Sequence, residues 1–239
     1  MSSRHGCRKT QTEGNNPLKT EILYEDKHLL VINKPAGLAT QSARMSEPDV
    51  VSELKNYLVG KNPTKAPYLG VIHRLDQPVE GILVFAKTKQ AAAGLSGQFL
   101  KQYLALVEGI PAESSGKLIN YLEKEGNLAK ITEEGKGQKA VLTYKTLETC
   151  EQGYSLVEVT LETGRFHQIR AQFAGMGHSI LGDRKYGSEK ALALGRDLGL
   201  RTIALCAYKC TFTHPFTGKA MEFHITPTFL QVSFLKRNQ

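Results

Sequence analysis

Hydrophobic residues in this chain come mostly in short runs rather than long ones, and the runs are separated by charged or glycine-rich turns. Ile22-Leu23-Tyr24 and Leu29-Leu30-Val31-Ile32 flank the charged turn Glu25-Asp26-Lys27, which predicts two strands ending at Lys34-Pro35-Ala36-Gly37. Val50, Val51, Leu54 and Leu58 recur at helical spacing, so Val50 to Leu58 is read as a short amphipathic helix. Gly81 to Ala86 is a continuous apolar run of strand length. Thr88 to Leu100 is alanine-rich and predicted helical, with Thr88 as its cap. Strands follow at Tyr103 to Val107, Ala140 to Leu147 and Tyr154 to Leu161. Phe166, Ile169 and Phe173 then share one face of a helix stopped by Gly175 and Gly177. A short helix is expected at Glu189 to Gly195. Strands return at Thr202 to Phe212 and, after the Pro215-Phe216-Thr217-Gly218 turn, at Ala220 to Ile225. Strands and helices mix here without strict βαβ alternation. The expected class is therefore α+β, built on a mixed, largely antiparallel sheet.

Composition narrows the partners. The chain has 239 residues, 41% of them hydrophobic, enough for one substantial core. Lys and Arg outnumber Asp and Glu by 31 to 23, a net charge of +8 that favours a polyanion, nucleic acid before membrane. No stretch approaches the roughly 20 apolar residues of a membrane span. Residues 1–19 are polar and read as a mobile tail, leaving residues 20–239 as a single domain. Cys7, Cys150, Cys206 and Cys210 fall at irregular positions and form no disulfide framework, which points to the reducing cytoplasm. Cys206, Cys210 and His214 invite a zinc reading. On a strand, however, positions four apart are ~13 Å from each other, and one ion with ~2 Å bonds cannot bridge them. No metal is expected.

Two clusters carry candidate chemistry. In His73-Arg74-Leu75-Asp76 a carboxylate stands two residues from a guanidinium, at the mouth of the Gly81–Ala86 strand; a neighbouring cation favours the ionised acid. In Gly164-Arg165-Phe166-His167-Gln168-Ile169-Arg170 a helix entry gathers two arginines and an amide, an arrangement suited to an anion. Taken alone, an Arg-x-Asp pair is more often a structural salt bridge, and a basic helix end is often only that. A third segment, Gly175 to Gly187, holds four glycines and implies tight turns or close approach to a ligand.

The ordered set changes the picture. Asn33-Lys34-Pro35-Ala36-Gly37-Leu38, then His-Arg-Leu-Asp, then Lys101-Gln102-Tyr103, then Gly-Arg-x-His-Gln-Ile-Arg with the glycine loop after it, resembles the RluA-type family of RNA pseudouridine synthases from about Ile22 to Ile225. The resemblance implies an antiparallel-sheet catalytic domain with RNA in a basic cleft; the S4-type RNA-binding domain that family members often carry is not expected here, with only about twenty residues before the first strand. It implies that Asp76 is the essential acid, that Tyr103 packs on the target base and that Arg170 pairs with Asp76. Arg74 would fill the space left by a flipped nucleotide. His73, Arg165, His167, Gln168 and Lys34 are the further expected RNA contacts. The partner would be an rRNA or tRNA stem-loop, the protein a monomer, and no cofactor is needed for an isomerisation.

Two departures stand out. Val79-Glu80 replaces the usual Thr-Ser, which places a negative charge near a polyanion, and Phe166 stands where Thr is common. Two other readings fit parts of the pattern: a catalytically silent RNA-binding protein, and a nucleoside hydrolase or glycosidase using Asp76 and Glu80.

Overall fold

The computed structural model describes residues 18–42, 47–64, 66–95, 97 and 99–231. Apart from Leu18 and Lys19, the expected tail lies outside them, as does Cys7. The elements in chain order are β1 (Glu21–Glu25), β2 (Leu29–Lys34), α1 (Val50–Lys61), β3 (Gly70–Val71), β4 (Glu80–Ala86), α2 (Lys89–Leu95), β5 (Leu100–Glu108), β6 (Ser115–Glu125) and β7 (Leu128–Thr132). They continue with β8 (Gln138–Cys150), β9 (Tyr154–Leu161), α3 (Gln168–Gly175), α4 (Glu189–Asp197), β10 (Leu205–Thr213) and β11 (Ala220–His224).

The strands form one sheet in the order β1-β2-β4-β10-β5-β9-β8-β6-β7, with β3 added to β4 and β11 to β10. Every named pairing is antiparallel except β4 with β10, whose register is Cys206↔Glu80 and Ala207↔Gly81. That seam explains Gly81. Its φ is 141°, and a Cβ there would lie 2.6 Å from the Ala207 backbone nitrogen, so only glycine lets the two strands close.

The central strands read as continuous apolar runs because both faces are covered. Along β4, Leu83 and Phe85 join a core with Val50 and Leu54 of α1 and Ile169 and Phe173 of α3, while Ile82 and Val84 face Ala91 and Leu95 of α2. Along β5, Tyr103, Ala105 and Val107 belong to the first core, and Leu104 and Leu106 pack toward Ala191 of α4. Cys206 and Cys210 are both buried on β10, as expected for structural thiols.

Three expectations need correction. The helix after Thr88 ends at Leu95, and Leu100 opens β5; Thr88 Oγ1 does cap it, accepting the Ala91 N–H at 3.1 Å. Phe166 precedes α3 instead of lying on its buried face, and it is exposed. The β6–β7 hairpin occupies a stretch to which the apolar pattern assigned nothing.

Candidate active site

Asp76 lies in the irregular segment between β3 and β4, and that segment is clamped from two sides. Thr40 Oγ1 donates to the Leu75 carbonyl at 3.0 Å and accepts the Leu75 N–H at 3.2 Å. Beyond Asp76, the Gln77 carbonyl accepts the Gly37 N–H at 2.8 Å and the Lys34 ammonium at 3.2 Å, and Gln77 Nε2 donates to the Gly37 carbonyl at 3.1 Å. A turn closed by the Val79 N–H on the Asp76 carbonyl, 3.1 Å, then leads into β4. The carboxylate itself stays partly open to a cleft of about 900 Å³.

Arg170, in the first turn of α3, reaches that carboxylate: Nη1 lies 3.0 Å from Asp76 Oδ2. The rest of the guanidinium is fixed by Asp183, with Nε to Oδ2 and Nη2 to Oδ1 both at 2.7 Å. Asp183 is fully buried, and its Oδ1 also accepts the backbone N–H of Lys185 at 2.9 Å and of Tyr186 at 3.3 Å. Two carboxylates against one guanidinium raise the Arg170 pKa further despite its burial. A bidentate fork sets the plane of the guanidinium, so Arg170 presents its remaining donor to Asp76 in one orientation.

His167 completes this corner. It sits at φ 52°, in the left-handed region, just before α3. Its Nε2 is 3.6 Å from Asp76 Oδ2, and its Nδ1 is 2.8 Å from Tyr186 Oη. Burial, strengthened by Arg170, outweighs Asp76 and pushes the imidazole down to about 4, so it is neutral near pH 7. Tyr186 Oη also accepts the Ala129 N–H at 2.6 Å. With Tyr186 Oη donating to Nδ1, the imidazole proton would sit on Nε2, the edge that faces Asp76. The Tyr186 ring lies under Arg170, 5.0 Å from its guanidinium carbon.

Tyr103 lines the same cleft from β5, almost entirely buried. Its hydroxyl is pushed well above the usual phenol range, by burial first and then by the charge of Asp76. Arg74, Arg165, Arg184, Lys185 and Arg201 are exposed cations along the cleft. Arg165 Nε donates to the Lys139 carbonyl at 3.0 Å, which ties that loop to β8.

Three of the expected RNA contacts are engaged elsewhere. Lys34 is fully buried, and its ammonium donates to the carbonyls of Pro35, Leu38 and Gln77 at 3.0, 2.7 and 3.2 Å. That corrects the expectation: Lys34 has no proton left for a phosphate, and it braces the loop beside Asp76. Gln168 is buried too. It accepts from Thr163 Oγ1 and the Arg165 N–H, and donates to the Val141 carbonyl, so it shapes the entry to α3 instead of reaching RNA. His73 borders the cleft, but its Nε2 accepts the Val84 N–H at 3.3 Å and its ring packs on Phe99; burial, with Lys101 nearby, lowers it to about 3.

Glu80 is also corrected. It points away from solvent and accepts the Thr228 N–H and hydroxyl, both at 2.8 Å, anchoring the segment after β11. Val79 is a core residue. The sequence reading assigned no role to Asp183 or Tyr186, although both belong to the glycine-rich segment it singled out.

A family model described as RNA pseudouridylate synthase matches residues 28–175. The chain is 33% identical over 223 residues to the dual-specificity RNA pseudouridine synthase RluA of Salmonella typhimurium, covering 87% of this chain and 93% of that one. It is 37% identical over 217 residues to ribosomal large subunit pseudouridine synthase D of Zymomonas mobilis, covering 85% of this chain and 68% of the relative. The solved structure of human RNA pseudouridylate synthase domain containing 4 shares the fold, with a TM-score of 0.72 at 24% identity over 91% of this chain and 93% of that one. With an acid, a guanidinium and a tyrosine on one cation-lined cleft, and relatives of this kind over most of its length, the chain belongs to the RNA pseudouridine synthases, enzymes that isomerise uridine in RNA to pseudouridine.

Proposed function

We propose that Asp76 starts the isomerisation on a uridine turned out of a stem-loop of ribosomal or transfer RNA. The observation that carries this reading is the Asp76–Arg170 pair at the cleft, 3.0 Å apart, with Arg170 held from behind by Asp183. A stacked uracil is out of reach of a side chain, so the nucleotide is extruded at a cost of about a few kcal/mol. Arg74 occupies the vacated space, and Arg165, Arg184 and Lys185 hold flanking phosphates, which offsets that cost.

The net chemistry breaks N1–C1′ and forms C5–C1′. N1 gains a proton and C5 loses one. An ionised Asp76 begins it by attack on C1′, attack on C6 or removal of the C2′ proton. Arg170 holds the acid in place through its 3.0 Å contact. Tyr103 supplies a wall for the base; with its hydroxyl pushed above the normal phenol range, it is a poor base for the C5 proton. The relative named for the ribosomal large subunit supports rRNA as substrate, and the one named for dual specificity supports a wider choice of RNA. An RNA substrate supports action in the cytoplasm.

The test uses RNA labelled with tritium at C5 of uridine. Asp76→Asn keeps the size and hydrogen-bonding capacity of the side chain and removes the charge. Tritium release is expected to vanish while RNA binding persists; undiminished release from this variant would end the reading. Free uracil among the products would point instead to a hydrolase.

A further inference from the structure

Phe166 lines the cleft but belongs neither to the core nor to the contacts of Asp76. It is 42% exposed, at the entry to α3. Its ring is nonetheless held. It stacks on the His167 imidazole with centroids 3.8 Å apart and planes 21° from parallel, and His167 is in turn fixed by Tyr186. The loop behind it is pinned by Arg165 N–H on Gln168 Oε1 at 3.0 Å and by Arg165 Nε on the Lys139 carbonyl. The ammonium of Lys124, from β6, lies 5.1 Å from the Phe166 centroid.

A held aromatic plane at the mouth of a basic cleft, with an exposed cation over it, has the attributes of a nucleobase platform. We propose that Phe166 stacks an unpaired base of the RNA strand next to the target uridine, and that Lys124 swings off the ring to that nucleotide's phosphate. The inference rests on the pseudouridine synthase reading and deepens it. His167 joins the two sites, with one edge 3.6 Å from Asp76 and one face under Phe166, so a base seated there would set the strand's register relative to the acid. An aliphatic contact would make a different demand, since any apolar side chain of similar size would satisfy it.

The probe is total RNA from cells lacking the gene, carrying tritium at C5 of uridine, with release measured at limiting RNA. Phe166→Thr and Phe166→Leu are each expected to lose about 5- to 150-fold in kcat/KM, the range for one base stack. Phe166→Trp is expected to restore most of it. The position is exposed, so thermal midpoints of all three should stay near wild type. In filter binding of the same RNA to Asp76→Asn protein, adding Lys124→Ala is expected to lower the salt slope of affinity by about 1. Wild-type efficiency in Phe166→Leu, or loss in Phe166→Trp equal to that in Phe166→Thr, would overturn the platform while leaving the enzymatic reading intact. Absence of tritium release from any RNA by the wild-type protein would overturn both.

Discussion

Arg170 is bonded twice to Asp183, through Nε and Nη2 at 2.7 Å each, and only once to Asp76, at 3.0 Å. The tighter partner is thus the one that never meets substrate. Asp183 is sealed from solvent, whereas Asp76 opens to the cleft. The arrangement separates holding the cation from using it: one carboxylate fixes the guanidinium, and the other is fixed by it.

Asp183→Asn should therefore impair catalysis without touching substrate. Loss of one charge from a buried pair lets the guanidinium turn, and a misplacement of about 1 Å at a reacting group costs roughly a hundredfold in rate. A fall in kcat of that order is expected, with RNA affinity little changed. Asp183→Ala should also unfold more readily by about 3–5 kcal/mol, because it leaves the buried guanidinium with only its single bond to Asp76. Denaturant midpoints and single-turnover rates measure the two effects separately.

Tyr186→Phe keeps the ring under Arg170 and removes the hydroxyl that orients His167. The imidazole then loses its reason to carry the proton on Nε2. A drop in kcat of about 5- to 10-fold is expected, the worth of one hydrogen bond, with RNA binding unaltered. Equal kcat in wild type and variant would show that the His167 tautomer does not matter.

Lys34 gives a pH signature. Burial lowers its pKa from 10.5 to about 8. Between those values the unfolded chain binds the proton and the folded protein does not, so stability rises with pH across that window. Relative to Lys34→Met, the wild-type protein should gain unfolding free energy from pH 8 to pH 10.5. At pH 7 the variant should be less stable, because three carbonyls lose their donor. Chemical denaturation at several pH values provides the comparison.

Glu80 carries the opposite sign. Burial raises its pKa above 4.5. The folded state therefore holds the proton more tightly, and its contribution falls as pH rises above that value. Glu80→Gln should become progressively more stable than wild type over that rise. It should leave RNA affinity within about twofold, since a carboxylate bonded to Thr228 exerts little repulsion on RNA in the cleft. A marked gain in affinity would restore the view of Glu80 as a charge facing the polyanion.

Much of this was legible in the residues alone, for identifiable reasons. β2 and β4 were found because burial on both faces writes them as apolar runs, and β9 because its apolar residues alternate with Glu158 and Thr160. β6 was missed because most of Ser115–Glu125 is exposed, so its code is polar; only the Gly126-Asn127 turn, with Gly126 at φ 55°, marked the hairpin. The alanine-rich helix was drawn too long because propensity does not register that Leu100 pairs with Thr211. Asp76, Tyr103 and Arg170 were recognisable by motif. Asp183 was not, because its partner lies 13 residues away across a turn and nothing local betrays burial. Lys34 and Gln168 were misplaced for the same reason: a polar letter carries no record of what its protons meet.

The seam between β4 and β10 has a consequence for biosynthesis. Asp76 and Arg170 are 94 residues apart, and the strand that separates β4 from β5 in the sheet is not translated until residue 213. A nascent chain shorter than that has its acid but no frame to aim it, and contacts so distant in sequence form late. Recovery of activity on refolding is therefore expected to report insertion of β10 between β4 and β5.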